Sequence, residues 1–239
     1  MKEQITYYQK RLRMSRSVID IYEAIPFETK DQFMLNLLQA LYLERSENII
    51  SKNLKAAKFP ILKTFENYSF EGIEMPERLS VDELKTLDFI DRKENLILYG
   101  GVGSGKTHMG IALGAAAIQQ EKVVLFFTVY DLINQLVHAK EMNQMERIMK
   151  KIQKADLIIL DEWGYLPLHQ DGARLLFEVI SKCYEKRSLV LTTNLEFSHW
   201  KSFLYDEKLT VAIIDRVIHH SHLLFFNRQS YRKEHALLK

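Results

Sequence analysis

The chain has 239 residues and a single cysteine, Cys183, which excludes a disulfide scaffold. It has almost no net charge: 33 Lys and Arg stand against 31 Asp and Glu, giving +2. That excludes a histone-like polycation but not local basic patches. No apolar run reaches the roughly 18 residues of a membrane helix. The opening MKEQITYYQK lacks the apolar stretch of a signal peptide. The expectation is a reduced, cytoplasmic protein with no membrane partner. Neither an internal repeat nor a low-complexity tract is present. The hydrophobic fraction of 47% is ordinary for a folded chain and excludes a disordered one. The length suits one large domain, or a medium domain with a small appendage, and needs no covalent staple.

The first 60 residues contain no glycine, which disfavours tight turns and suits helices. Phe33, Met34, Leu37, Leu38 and Leu41 recur at helical spacing. A polar-faced helix continues from Arg45 to Ala57 and ends near Phe59-Pro60. We expect an N-terminal helical domain over 1–66 and a second domain over 67–239. Residues 62–92, with turn signals at Glu71-Gly72 and Met75-Pro76, read as a linker leading into that second domain. From Glu94 the text changes. Short apolar runs (Leu96–Tyr99, Val123–Val129, Leu157–Leu160, Leu189–Thr193, Leu223–Phe226) alternate with helical stretches (Lys106–Gln120, Tyr130–Lys154, Gln170–Glu185, Leu209–His219). This alternation predicts an α/β domain with a mainly parallel sheet.

The sharpest feature is Gly100-Gly101-Val102-Gly103-Ser104-Gly105-Lys106-Thr107, which fits G-x-x-x-x-G-K-[ST] between a strand and a helix. Glycines let the backbone curl around an anion with its N–H groups inward. The helix start adds a positive dipole end. Lys106 reaches the β- and γ-phosphates of a nucleotide, and the Thr107 hydroxyl is an oxygen ligand for Mg²⁺. The next element is Leu157–Leu160 running into Asp161-Glu162, 55 residues after Lys106. Alone, such a run is often a strand meeting solvent. After the glycine loop, Asp161 suits Mg²⁺ held through water, and Glu162 suits polarising an attacking water. Strand neighbours point to opposite faces, so both serve only if the chain leaves the strand there, at Trp163-Gly164.

Leu191-Thr192-Thr193-Asn194 closes the following strand. Its polar end either satisfies the backbone or bridges the γ-phosphate and the water. Arg216, in Ile214-Asp215-Arg216-Val217, is a permanent planar cation suited to a phosphate held by a neighbouring subunit. Otherwise it is a surface arginine. Arg232 is a weaker candidate of the same kind.

Together these residues resemble the AAA+ ATPases of the initiator and helicase-loader group, and most of all the IstB-like transposition helper ATPases, relatives of DnaC-type loaders. The resemblance covers nearly the whole chain: Glu44-Arg45 through Pro60, Asn95–Gly110 including Gly105-Lys106-Thr107-His108, the Asp161-Glu162 strand, Thr192-Thr193-Asn194, and Ile214-Asp215-Arg216 with His219-His220. It implies ATP and Mg²⁺ as cofactors. Lys106 and Thr107 become Walker A, with His108 alongside, and Asp161 and Glu162 become Walker B. Asn194 becomes sensor 1, Arg216 an arginine finger and Arg232 a sensor 2-like residue. It also implies a homo-oligomer with ATP between neighbours, helping a transposase choose and engage target DNA. Trp163 departs from the smaller apolar residue common at its position, without replacing either carboxylate. Twelve residues follow Asn227, too few for a full helical lid. The expectation is an AAA+ core whose site is completed by a neighbour.

Four basic clusters are candidate contacts for double-stranded DNA. They are Lys10-Arg11-Leu12-Arg13 with Arg16; Lys52, Lys55 and Lys58; Lys140, Arg147, Lys150, Lys151 and Lys154; and the tail from Arg228. Each could equally be a solvated face. In initiator-type relatives a helical insertion near the third cluster lines the DNA channel, which puts Lys140, Arg147, Lys150 and Lys151 first. The Tyr130–Lys154 stretch reads as helix, a break around Met142-Asn143, then helix. No base-reading motif is evident, so binding is expected to follow the backbone and depend on salt. His219, His220 and His222 lack a Cys or a close carboxylate set to complete a metal site. Trp163 reads as packing, and Cys183 as a small buried residue. A replicative helicase loader is the alternative role, and a small-molecule P-loop kinase a third.

Overall fold

The computed structural model describes the chain except residues 13, 16, 27, 67 and 235–239. Arg13 and Arg16 of the first basic cluster, and Lys239 of the tail, lie outside the described residues. Two compact units divide between Lys52 and Asn53.

The first unit is helical, as its lack of glycine predicts. It holds α1 (Lys2–Arg11), α2 (Val18–Ala24) and most of α3 (Lys30–Ala57). The hydroxyls of Ser15 and Ser17 both donate to the Glu44 carboxylate. Among its described residues only Gln9 and Val18 are buried. Met34, Leu35, Leu38, Tyr42 and Leu43 of α3 are all more than half exposed. The helical apolar spacing therefore does mark a helix; of the residues that show it, Met34 and Leu38 are exposed, while Phe33, Leu37 and Leu41 are half-buried.

The second unit is a six-stranded sheet, β1 (Ile73–Glu74), β2 (Asn95–Gly100), β3 (Val124–Thr128), β4 (Leu157–Trp163), β5 (Ser188–Thr193) and β6 (Ser221–Phe226), in the order β1-β6-β2-β5-β4-β3. All pairings are parallel except the edge pair β1–β6. Each apolar run read from the sequence supplies a strand. Leu96, Leu98, Leu157–Leu160, Val190 and Leu191 are fully buried, as a parallel sheet covered on both faces requires. Helices α4 (Val81–Thr86) and α5 (Asp88–Asp91) precede β2. Ser80 and Glu83 form a reciprocal capping box on α4. Leu79, Leu84, Leu87, Phe89 and Ile90 are buried. From Leu79 on, the stretch that reads as a linker is core, because its apolar residues are too scattered to show a period.

Helix α6 (Lys106–Gln119) is buried on nearly every side. Gly114 permits this: a Cβ there would come within 2.8 Å of Ile159 and 2.9 Å of Phe59. Helices α7 (Val129–Glu141) and α8 (Met145–Lys154) confirm the break near Met142-Asn143, where Asn143 takes a left-handed φ of 54°. Helix α9 (Gln170–Cys183), the short α10 (Trp200–Leu204), α11 (Glu207–Ile218) and α12 (Tyr231–Glu234) complete the unit. Trp163 is fully buried against Trp200 and Phe203, and Cys183 is buried with its thiol pushed up to about 12 by burial. Both therefore pack, as read from the sequence. No helix among the described residues is long and apolar enough to cross a membrane.

Candidate nucleotide site

Ligands of open α/β sheets bind beyond the carboxyl ends of the strands. Here β2, β4 and β5 deliver the glycine loop, Asp161-Glu162 and Thr192-Thr193-Asn194 to that same edge. Gly100, Gly103 and Gly105 take φ of 154°, 79° and 95°, conformations a side chain resists. A Cβ on Gly100 would also meet the Phe226 carbonyl oxygen at 2.6 Å. Gly101 and Val102 are exposed at the rim, and Ser104 is buried with its hydroxyl on the Gly101 carbonyl at 2.8 Å.

Lys106 Nζ donates to the Gly100 and Gly101 carbonyls at 2.8 and 2.6 Å. Burial lowers its pKa to about 8; the Asp161 charge opposes this and the Arg232 charge adds to it. Thr107 Oγ1 donates to Asp161 Oδ1 at 2.8 Å. The Thr192 hydroxyl donates to the same oxygen, and Thr192 Oγ1 accepts from the Glu162 backbone N–H at 3.2 Å. Thr107 and buried Asp161 thus bring two oxygen donors together, a set that fits Mg²⁺.

Glu162 is exposed and adopts a left-handed φ of 60°. The strand does not end at the acidic pair, as the sequence suggests; it bulges between Leu160 and Trp163 and then resumes its pairing with β5. The bulge is what sends two adjacent carboxylates different ways. Desolvation raises the Glu162 pKa, with the charges of Asp161 and Asp131 adding to it and Arg232 opposing. A raised pKa suits a group that must accept a proton. Asn194 is exposed at the end of β5. Arg216 is half-buried on α11; its Nη1 donates to the Ala212 carbonyl at 2.8 Å and its guanidinium lies 5.0 Å from the Phe177 ring. Arg232 is exposed, and its charge is felt at both Lys106 and Glu162.

Two residues hold the loop from behind: Tyr68, which the sequence did not single out, and Arg228, which it offered only as the start of a basic tail. Arg228 Nε donates to the Ser104 carbonyl at 2.7 Å, Nη2 to the Tyr68 hydroxyl at 2.7 Å and Nη1 to the Ser69 carbonyl at 3.0 Å. The Tyr68 hydroxyl donates to the Gly105 carbonyl at 3.3 Å, and burial pushes its pKa up to about 12. The Tyr68 ring lies 4.7 Å from that of His108, whose Nε2 sits 2.9 Å from the Thr64 carbonyl. The Tyr231 N–H closes the contact on the Gly103 carbonyl at 3.1 Å. A tail arginine and a linker tyrosine carry no local signal; they meet only because β1 pairs with β6.

Among the basic candidates, Lys140, Arg147, Lys150 and Lys151 are all exposed on α7 and α8. Lys150 pairs with Glu146 at 2.6 Å. Burial lowers the Lys151 pKa, and the Lys58 charge adds to it, so two clusters that are separate in the sequence adjoin at Lys58 and Lys151.

The family described as IstB-like ATP binding protein matches residues 26–238. The insertion sequence IS5376 ATP-binding protein of Geobacillus stearothermophilus is 35% identical over 237 residues, 97% of this chain and 94% of that protein. The IS21 ATP-binding protein of Pseudomonas aeruginosa is 39% identical over 201 residues, 84% of this chain and 76% of the other. Among solved structures, AMPPCP-bound DnaA from Aquifex aeolicus superimposes with a TM-score of 0.56 at 21% identity, over 73% of this chain and 55% of that one. The DnaC helicase loader gives 0.51 at 20% identity, over 73% and 98%. The fold is that of an AAA+ P-loop domain.

Proposed function

The chain belongs to the family of IstB-like ATP-binding proteins, and from that premise we propose that it is a Mg²⁺-dependent ATPase that assembles on double-stranded DNA in the cytoplasm and helps a transposase select and engage its target. One observation carries the chemistry: Thr107, Asp161 and Thr192 meet at a single carboxylate oxygen beside the glycine loop, with Glu162 turned outward next to them. Mg²⁺ bound by Thr107 and Asp161 would offset the phosphate charge. Lys106 leaves its loop carbonyls for the β- and γ-phosphate oxygens. Glu162 accepts the proton of the water whose oxygen attacks the γ-phosphorus, and ADP leaves as the bridging bond breaks. Asn194 orients that water. A neighbour's Arg216 supplies the remaining positive charge.

The exposed apolar residues of α3 (Met34, Leu35, Leu38, Tyr42 and Leu43) support assembly, since contiguous exposed apolar residues mark contact surfaces. Lys140, Arg147, Lys150, Lys151 and Lys58 would follow the DNA backbone. The relatives' insertion-sequence names support a transposase as partner. The test is ATP turnover with and without duplex DNA, with particle mass followed in parallel over a salt series. Joint assembly and stimulation that fade with salt are expected. A monomer indifferent to DNA would overturn the reading, and retention by a replicative helicase rather than the transposase would reassign its partner.

A further inference from the structure

The histidines that follow Arg216 stand apart from the nucleotide site. His219 and His220 lie just past α11, and Glu185 just past α9. One ligand atom from each of Glu185, His219 and His220 lies within 4.8 Å of the others. His220 Nε2 is 3.4 Å from Glu185 Oε1. The Tyr184 hydroxyl is 2.7 Å from His219 Nδ1. The carboxylate that the sequence could not supply thus comes from 34 residues earlier than His219, carried there by the packing of α9 and α11. His222, the third histidine of the run, is turned elsewhere, 2.9 Å from Glu94.

We propose that Glu185, His219 and His220 form a binding site for a divalent transition metal ion of the zinc class. Three features point to a cation of this kind. Two imidazoles and one carboxylate are a known zinc ligand set that leaves a fourth position for water or a further group. A hydroxyl on Nδ1 of His219 leaves Nε2 free, and metal-binding histidines are held by such a partner on their other nitrogen. Finally, α9 and α11 both end beside this cluster, and the negative dipole end of each helix favours a cation there. Histidine and glutamate side chains that merely decorated a surface would not need that convergence. A bound ion would tie the end of α11 to the end of α9, and so fix the turn that carries Arg216.

The experiment uses the full chain and needs no nucleotide. Zn²⁺ binding is measured by equilibrium dialysis, and Co²⁺ is used as a visible probe of coordination. One Zn²⁺ per chain and a tetrahedral Co²⁺ spectrum are expected. Glu185→Gln and His220→Ala should each weaken binding at least tenfold and abolish that spectrum. Tyr184→Phe should weaken binding by about tenfold, the lower end of what a partner residue contributes. His222→Ala should leave binding unchanged. The unfolding midpoint without metal checks that each variant folds. The proposal is overturned by an absence of saturable binding, by an octahedral Co²⁺ spectrum, or by a Zn²⁺ affinity that survives Glu185→Gln and His220→Ala in folded protein.

Discussion

The two sides of the nucleotide site differ in how far one chain completes them. On the closed side the chain's own side chains tie the loop down: Lys106 on the loop carbonyls, Arg228 on Ser104, Tyr68 and Ser69, and Tyr68 on Gly105. On the open side Glu162, in the bulge of β4, and Asn194, just past β5, are exposed, and Arg216 is bonded to its own helix. A closed phosphate loop can hold an anion alone. An open catalytic edge needs something brought to it. On the proposed reading, binding belongs to the chain and turnover to the assembly.

Substitutions on each side, with two pH profiles, would break or sharpen that contrast. The largest effect is expected on the open side. Arg216→Ala should lower turnover by about 10³-fold, the lower range for an arginine acting on a neighbour's phosphate, with ATP binding unchanged in a fluorescence titration. Glu162→Gln should lower turnover by about 10²-fold and retain ATP-bound assemblies on DNA. Because the Glu162 pKa is raised, wild-type turnover should fall on acidification at a higher pH than an ordinary carboxylate would give. Above that pH the carboxylate is ionised and can take the proton. A rate profile between pH 4 and 8 checks this, roughly spanning the window around a normal Glu.

On the closed side the effects move to binding. Arg228→Ala removes four charge-assisted hydrogen bonds. It should weaken nucleotide affinity by about tenfold, which is roughly 1.4 kcal/mol, while Arg228→Lys, a point charge without the fork, should not restore it. The smallest effect is a pH dependence of affinity itself. Lys106 has a pKa of about 8, and a polyphosphate beside it favours the charged form. Affinity should therefore be full below pH 8 and weaken by up to about tenfold per unit above it. Calorimetry in buffers of different ionisation heat would show the accompanying proton uptake.

How much of this was legible follows the same division. The glycine loop, the acidic pair and the strand runs could be read because each is contiguous: one short segment contains both the residues and their reason. The five apolar runs became five strands, and the break at Met142-Asn143 fell where the polar tract suggested. The bulge at Asp161-Glu162 was not legible, because nothing in Leu-Asp-Glu-Trp says whether a strand stops or kinks. Arg228 with Tyr68, Thr192 with Asp161, and Glu185 with His220 were hidden for a common reason. Each pair is separated by more than 30 residues and meets only through sheet order or helix packing. Residues 79–90 were hidden differently, since short helices with one apolar turn each carry no period. The apolar spacing in α3 did show its helix, but spacing cannot tell a core-facing stripe from one that a partner covers.

The most direct test of the shared site mixes two variants that are each inactive. Arg216→Ala keeps an intact Glu162, and Glu162→Gln keeps an intact Arg216. If each ATP is held by one chain and acted on by the next, mixed assemblies contain some sites with both residues, and equimolar mixing should restore a clear fraction of wild-type turnover. If the mixture stays as inactive as its components while assembling normally, Arg216 and Glu162 serve within a single chain, and the division between binding and turnover drawn here is wrong.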